Sequence, residues 1–272
     1  MKSVLGIDIG GSTTKIIGCR NGKIFSPLLV KSSDPRASLY GAFGKFMSEN
    51  GLALSDIDSV MITGVGSHDC DSDIFGVRMK RIDEFQAVGR GGLFLSGLSS
   101  AVVVSMGTGT AFVSASEKGV SHIGGTGIGG GTLLGLASRM FNVRNFDDIV
   151  EMAKDGDLEN VDLHIGDISR ADIENMTATT TAANFGKIRD LATNGDLALG
   201  IINMVFQTIG VMAVFSAKNE KTKNIVLTGN LTNVPQAKEI FENVAALYGV
   251  RFVIPEHSEY ATATGAALMS TY

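Results

Sequence analysis

Residues 6–15 read G-I-D-I-G-G-S-T-T-K, an order of residue types suited to handling a phosphate group and a metal ion. An apolar run delivers Asp8 to the glycine pair Gly10 and Gly11, whose missing Cβ atoms let backbone N–H groups approach an anion. Ser12 and Thr13 add hydroxyl donors, and Lys15 adds a mobile positive charge. Asp8 is suited to hold Mg²⁺ through water, because that ion dehydrates reluctantly. An ordinary β-hairpin with a Gly-Gly turn would need neither the aspartate nor the lysine.

The design recurs. Residues 105–110, S-M-G-T-G-T, again put small and hydroxyl-bearing residues after an apolar run, and two such loops facing one another could clamp a nucleoside triphosphate. Residues 124–132, G-G-T-G-I-G-G-G-T, run into a helical pattern over 133–141 in which Leu133, Leu136 and Met140 share a face. A glycine loop opening a helix offers free N–H groups and a partial positive charge to an anion. It is not the dinucleotide fingerprint, since no βαβ unit with a downstream acidic residue surrounds it. Residues 82–92, I-D-E-F-Q-A-V-G-R-G-G, set Asp83 and Glu84 at a strand-to-helix junction with Arg90 further along. A carboxylate there could accept the proton of a hydroxyl attacking a phosphoryl group. Acidic residues are also favoured at helix starts for their own sake, and spacing alone leaves both readings open.

The elements that must hold these residues follow from pattern. Strands are expected over 4–8 and 13–19, a helix over 36–47 with Leu39, Phe43, Phe46 and Met47 on one face, and a strand over 59–62 ending at Gly64. A helix begins at Glu84. Strands follow over 101–105 and 111–115, another over 224–227, and a last helix from Ala261. The strand–loop–strand unit appears twice, roughly a hundred residues apart, which predicts an internally duplicated α/β protein. The boundary falls near residue 98, giving domains 1–98 and 99–272.

Composition narrows the partners. The chain has 272 residues, 44% hydrophobic and 19% charged, with a net charge of −5, which argues against a nucleic-acid or anionic-membrane partner. Residues 197–217 carry no charge and are long enough to span a bilayer, yet Gly200, Asn203, Gln207, Thr208 and Gly210 point to a buried helix. The start of the chain lacks a signal-peptide layout, and only two cysteines occur, so a cytoplasmic location is expected. Cys19 and Cys70 are expected to be thiols, with no disulfide between them and no metal.

At these residues the chain resembles the type II (eukaryotic-like) pantothenate kinases of the actin-like, sugar-kinase-type ATPase superfamily. The likeness runs in order over nearly the full length. It includes the loop at 6–15, D-E-F at 83–85, G-T-G-T at 107–110, the loop at 124–132 and T-A-A-N-F-G at 181–186. N-I-V-L-T-G-N at 224–230 and E-Y-A-T-A-T-G-A-A-L at 259–268 complete it. The first loop belongs to the whole superfamily; its combination with the second glycine loop and T-A-A-N-F-G is far more specific.

The resemblance implies two related actin-like ATPase (ribonuclease H-like) domains around a nucleotide cleft. It implies transfer of the ATP γ-phosphate, with Mg²⁺, to the hydroxyl of pantothenate, the opening step of coenzyme A synthesis. It implies a homodimer, in which the helix at 197–217 has a place to be buried. By the same likeness Glu84 is the catalytic base, and Thr108, Gly130, Gly131, Thr132, Leu133, Leu134, Phe146 and Asn230 contact ATP. Arg90 and His122 are candidate substrate contacts. Family members commonly carry arginine just before the glycine pair of the third loop; His122 stands there instead, with a shorter reach and a pH-dependent charge. Other readings of the same fold are an ATPase activator of 2-hydroxyacyl-CoA dehydratases, whose paired cysteines bridge an iron–sulfur cluster, and a sugar or N-acetylhexosamine kinase. A non-catalytic nucleotide-binding regulator is a fourth.

Overall fold

Two five-stranded sheets with the same topology face one another in the computed structural model, which describes residues 2–31, 34–70, 73–169 and 176–271. In the first sheet β1 (Ser3–Ile9), β2 (Thr13–Arg20) and β3 (Lys23–Lys31) form an antiparallel meander. Helix α1 (Pro35–Glu49) then crosses to β4 (Ile57–Thr63), which pairs parallel to β1, and β5 (Met79–Arg81) pairs parallel to β4. Pro35 at the start of α1 and the Asp34 side chain accepting from the Ala37 N–H fix where that helix begins. Helix α2 (Glu84–Ser96) follows.

The second half repeats the plan. β6 (Ser100–Met106), β7 (Thr110–Ser116) and β8 (Gly119–Thr126) form the meander. A long excursion follows through α3 (Gly130–Phe141), α4 (Phe146–Met152), β9 (Leu163–His164), α5 (Ile165–Ile168), β10 (Thr181–Ala183) and α6 (Asn194–Asn219). β11 (Asn224–Thr228) then joins parallel to β6. After α7 (Ala237–Tyr248), β12 (Arg251–Val253) joins parallel to β11, and α8 (Ala261–Leu268) closes the described chain's helices. The expected duplication is therefore present strand for strand.

Alternation decides what covers each face. Leu5, Ile7 and Ile9 pack under α1 with Leu39, Phe43 and Phe46, while Ile17 and Cys19 on the opposite face pack under Ala263 and Ala267 of α8. In the second sheet Val102, Val104 and Met106 pack with α3, α6 and α7, and Val103 and Val113 pack with Val88 of α2. The layers thus run α1, first sheet, α8 with α2, second sheet, then α3, α6 and α7. Helix α2 follows the first sheet in sequence but packs on the second, and α8 does the reverse.

Where these two helices cross, they meet backbone to backbone. A Cβ on Gly91 would lie 1.8 Å from the Ala261 carbonyl oxygen, and one on Gly265 would lie 1.8 Å from that of Ala87. Only glycine allows this approach.

Helix α6 is the long uncharged segment, and it lies inside the second half. Its start is a capping box: the Asp196 N–H donates to Thr193, and the Thr193 N–H donates to Asp196 at 2.8 Å. By length and composition α6 could cross a membrane, but most of its apolar window is buried in this fold. Its Asn203 and Gln207 side chains join a polar network with T-A-A-N-F-G. Asp162, fully buried, accepts from the Phe185 N–H at 2.9 Å and from Asn203 at 2.8 Å, with Thr181 and Asn184 at the edge of the same carboxylate. T-A-A-N-F-G is therefore anchored to the core by hydrogen bonds.

One sequence expectation is corrected in detail. Leu133 and Ala137 are the buried anchors of α3, whereas Met140 is exposed. Alanine one turn after Leu133 fits against the core more closely than methionine can.

Candidate active site

Strand pairing puts three polar side chains in a row at the end of the first sheet. Asp8 on β1 is opposite Lys15 on β2 and Thr63 on β4, all on the face that α8 covers. Asp8 is half-buried, and Lys15 and Thr63 are buried. Burial pushes the Asp8 carboxyl above its ordinary range, and the Lys15 charge pulls the other way. The chain then turns through Gly10, whose N–H donates to the Thr13 carbonyl at 3.0 Å, leaving Gly11 and Ser12 exposed.

Gly64 sits directly against this carboxylate. Its φ of +86° takes the chain away from β4, and a Cβ there would lie 2.5 Å from Asp8 Oδ1. The second sheet has the same corner: Gly229 after Thr228 has a φ of +92°, with its would-be Cβ 2.4 Å from the Met106 carbonyl oxygen. The pairs Thr63-Gly64 and Thr228-Gly229 were missed as site elements from the sequence. The repeat of a Thr-Gly pair after an apolar strand, I-T-G at 62–64 and L-T-G at 227–229, was the available signal.

The other loops gather at the facing end of the second sheet. The Gly130 N–H donates to the Gly107 carbonyl and the Gly131 N–H to the Thr108 carbonyl, both at 2.9 Å. These amides stitch the third loop to the second, so two of the first-turn donors of α3 are already occupied. Thr132 closes its own loop, donating to the Gly127 carbonyl at 3.0 Å. Thr108 is exposed, Leu134 half-buried, and the Leu133 side chain lies wholly in the core, leaving only its backbone for a ligand. Asn230 reaches across: its amide nitrogen lies 3.5 Å from Thr13 Oγ1, joining the first loop to the second half. Phe146 opens α4 and is half-buried, and Gln236 ties α4 to the segment after Asn230 by donating to the Val150 carbonyl.

Glu84 is the first residue of α2, half-buried. Burial raises its carboxyl above the ordinary range, and the charges of Asp8 and Asp83 raise it further. Asp83 is occupied elsewhere, capping α2 by accepting from the Gln86 N–H at 2.9 Å. Phe85 stacks on His122 with ring centroids 3.9 Å apart, and the Gln86 amide donates to the Val120 carbonyl at 3.1 Å. The first turn of α2 is thereby pinned to β8, with His122 exposed against Phe85. Arg90, six residues on, is attached about 120° round the helix and about 9 Å along it from Glu84. Its buried Nε has no hydrogen-bond partner among the described residues.

The site can therefore cradle a polyphosphate between glycine loops from both halves, with one carboxylate at the end of β1 and a second, of raised pKa, beside it. Among the described residues no group of three or more His, Cys, Asp or Glu side chains could enclose a metal. A lone Asp8 flanked by hydroxyls fits Mg²⁺, which usually takes one or two carboxylates and fills its shell with water and phosphate. Cys19 and Cys70 lie in separate clusters on opposite faces of the first sheet.

Duplicated five-stranded sheets with facing glycine loops define the actin-like ATPase fold. The activator of 2-hydroxyisocaproyl-CoA dehydratase from Clostridium difficile, solved with bound ADPNP, superposes with a TM-score of 0.71 at 17% identity, covering 98% of this chain and 94% of that one. A ROK family glucokinase from Streptomyces griseus, in complex with glucose and AMPPNP, gives 0.66 at 11% identity, covering 99% of each. At these identities the likeness is one of fold.

The Fumble family model matches residues 98–269. The type II pantothenate kinase of Oceanobacillus iheyensis is 30% identical, covering 98% of this chain and 99% of the relative. That of Bacillus cereus is 24% identical over the full length of both. The chain belongs to the Fumble family.

Proposed function

We propose that this protein transfers the γ-phosphate of ATP to the primary hydroxyl of pantothenate. The observation that carries the reading is Glu84: a half-buried carboxylate at the start of α2, free of capping duty and raised by burial and by the charges of Asp8 and Asp83. In this reading Glu84 accepts the hydroxyl proton as the oxygen attacks phosphorus. Gly10, Gly11, Ser12, Thr13 and Thr108 line the phosphates, with Lys15 balancing charge that grows in the transition state. Asp8 would hold Mg²⁺, which when bound would supply positive charge to neutralise the phosphates. Asn230 and the start of α3 hold the nucleoside end, and His122 meets the acceptor. Thirty per cent identity over nearly the whole of a named pantothenate kinase supports this acceptor.

The same reading includes a cytoplasmic homodimer and domains divided near residue 98. The dehydratase-activator alternative requires two cysteines per subunit at a shared surface, and the separation of Cys19 from Cys70 by the first sheet counts against it. A coupled assay of ADP release with pantothenate, pantetheine, glucose and N-acetylglucosamine as acceptors tests the proposal. Turnover with pantothenate at least tenfold above the sugars is expected, and preference for a sugar would overturn it.

A further inference from the structure

The two halves carry equivalent Thr-Gly corners, and one hydroxyl in the pair is left over. Thr228, at the end of β11, donates to the Val104 carbonyl on neighbouring β6 at 3.1 Å. Thr63 holds the corresponding place at the end of β4, is fully buried, and its Oγ1 has no hydrogen-bond partner among the described residues. The corners share backbone form, with φ of +86° at Gly64 and +92° at Gly229. They differ in what is paired alongside: Ser105 beside Thr228, and Asp8 beside Thr63.

A buried hydroxyl without a partner is destabilising, and valine would fill the same space without that cost. A polar group kept in such a place commonly has an ordered water as its partner. Asp8 is the polar side chain that strand register places beside it, and Gly64 leaves no room for a Cβ against Asp8 Oδ1. Thr63 is therefore aligned to serve the carboxylate and not its own strand.

We propose that Thr63 is a positioning residue for Asp8, its hydroxyl holding one buried water against the Asp8 carboxylate so that the carboxylate stays turned toward the phosphate cleft. This rests on the reading of Asp8 as the Mg·ATP-side carboxylate, and it adds a residue to which no role was given.

The test compares Thr63→Val, Thr63→Ser and Asp8→Asn. A high-resolution crystal structure of the metal-free protein should contain a water within hydrogen-bond distance of both Thr63 Oγ1 and Asp8. Thr63→Val should melt at the same or a higher temperature, yet need about tenfold more Mg²⁺ for half-maximal turnover, as the loss of one charge-linked hydrogen bond predicts. Thr63→Ser should restore the Mg²⁺ requirement. A lower melting temperature in Thr63→Val with an unchanged Mg²⁺ requirement, or no water at that position, would overturn the inference. Asp8→Asn separates the two levels. If it raises the Mg²⁺ requirement and Thr63→Val does not, only the Thr63 inference fails. If Asp8→Asn leaves the requirement unchanged, the reading of Asp8 fails first.

Discussion

Asp8, at the end of β1, lies near enough to Glu84, at the start of α2, for its charge to raise the Glu84 carboxyl, although the two are held by different sheets. Asp8 is part of the first sheet. Glu84 is carried by a helix whose Val88 packs on the second sheet, and whose first turn is tied to β8 through Phe85 and Gln86. The cleft is thus spanned by a pair of carboxylates, each held above its ordinary range by burial.

Both groups are predicted to make the ligand-free fold less stable as pH rises. A carboxyl whose folded pKa is raised above the unfolded value stabilises the fold at low pH, and that contribution is lost as pH rises through the folded pKa. Glu84→Gln and Asp8→Asn should therefore each raise the melting temperature at pH 7 while impairing turnover. Calorimetry of the ligand-free proteins checks this; a clear drop in melting temperature for both would contradict the burial argument.

Asp196 has the opposite sign. Burial alone would raise its carboxyl, but N–H donors from Thr193 and Asp157 outweigh burial and hold it below its ordinary value. Its contribution is present above the unfolded pKa and is lost as pH falls through the folded one. Asp196→Ala should cost about 1–2 kcal/mol at pH 7, by removing a cap and the acceptor of the Thr193 and Asp157 N–H groups. Chemical denaturation at pH 7 and in the acid range measures both effects, and the deficit should shrink on acidification.

The crossing of α2 and α8 should tolerate no added methyl group. Gly91→Ala and Gly265→Ala each drive a Cβ into a backbone carbonyl, which a side-chain rotation cannot relieve. A loss of about 1–3 kcal/mol or more is expected. Gly44→Ala, on an open face of α1, is the control and should gain about 0.5–1 kcal/mol. Equal effects at the three positions would show that the helices are less tightly crossed than described here.

These predictions depend unequally on what the sequence alone made legible. Loops rich in glycine announced themselves, and Asp8, Gly10, Thr108 and Gly130 lie at or beside the ends of β1, β6 and the start of α3. The start of α2 was legible because Asp83 is a strong helix cap and the apolar spacing begins beside it. The partner of Gly91 was not, since Gly265 is distant in the chain and nothing local marks a crossing. Edge strand β3 was also hidden: Pro27 interrupts it, as edge strands permit, and its side chains alternate weakly. The Thr63 proposal needed two sheets to be compared residue by residue.

Transfer of the γ-phosphate from labelled ATP to pantothenate, compared among the unaltered protein, Glu84→Gln and Asp83→Asn, tests the central claim most directly. Glu84→Gln keeps the side-chain size and removes the proton-accepting charge, so transfer should fall ~10²–10⁴-fold while ATP binding is retained. Asp83→Asn keeps a good helix cap and should transfer at close to the original rate. Loss of transfer in Asp83→Asn with transfer intact in Glu84→Gln would assign the base to the other carboxylate, and full transfer in both would contradict base catalysis by either.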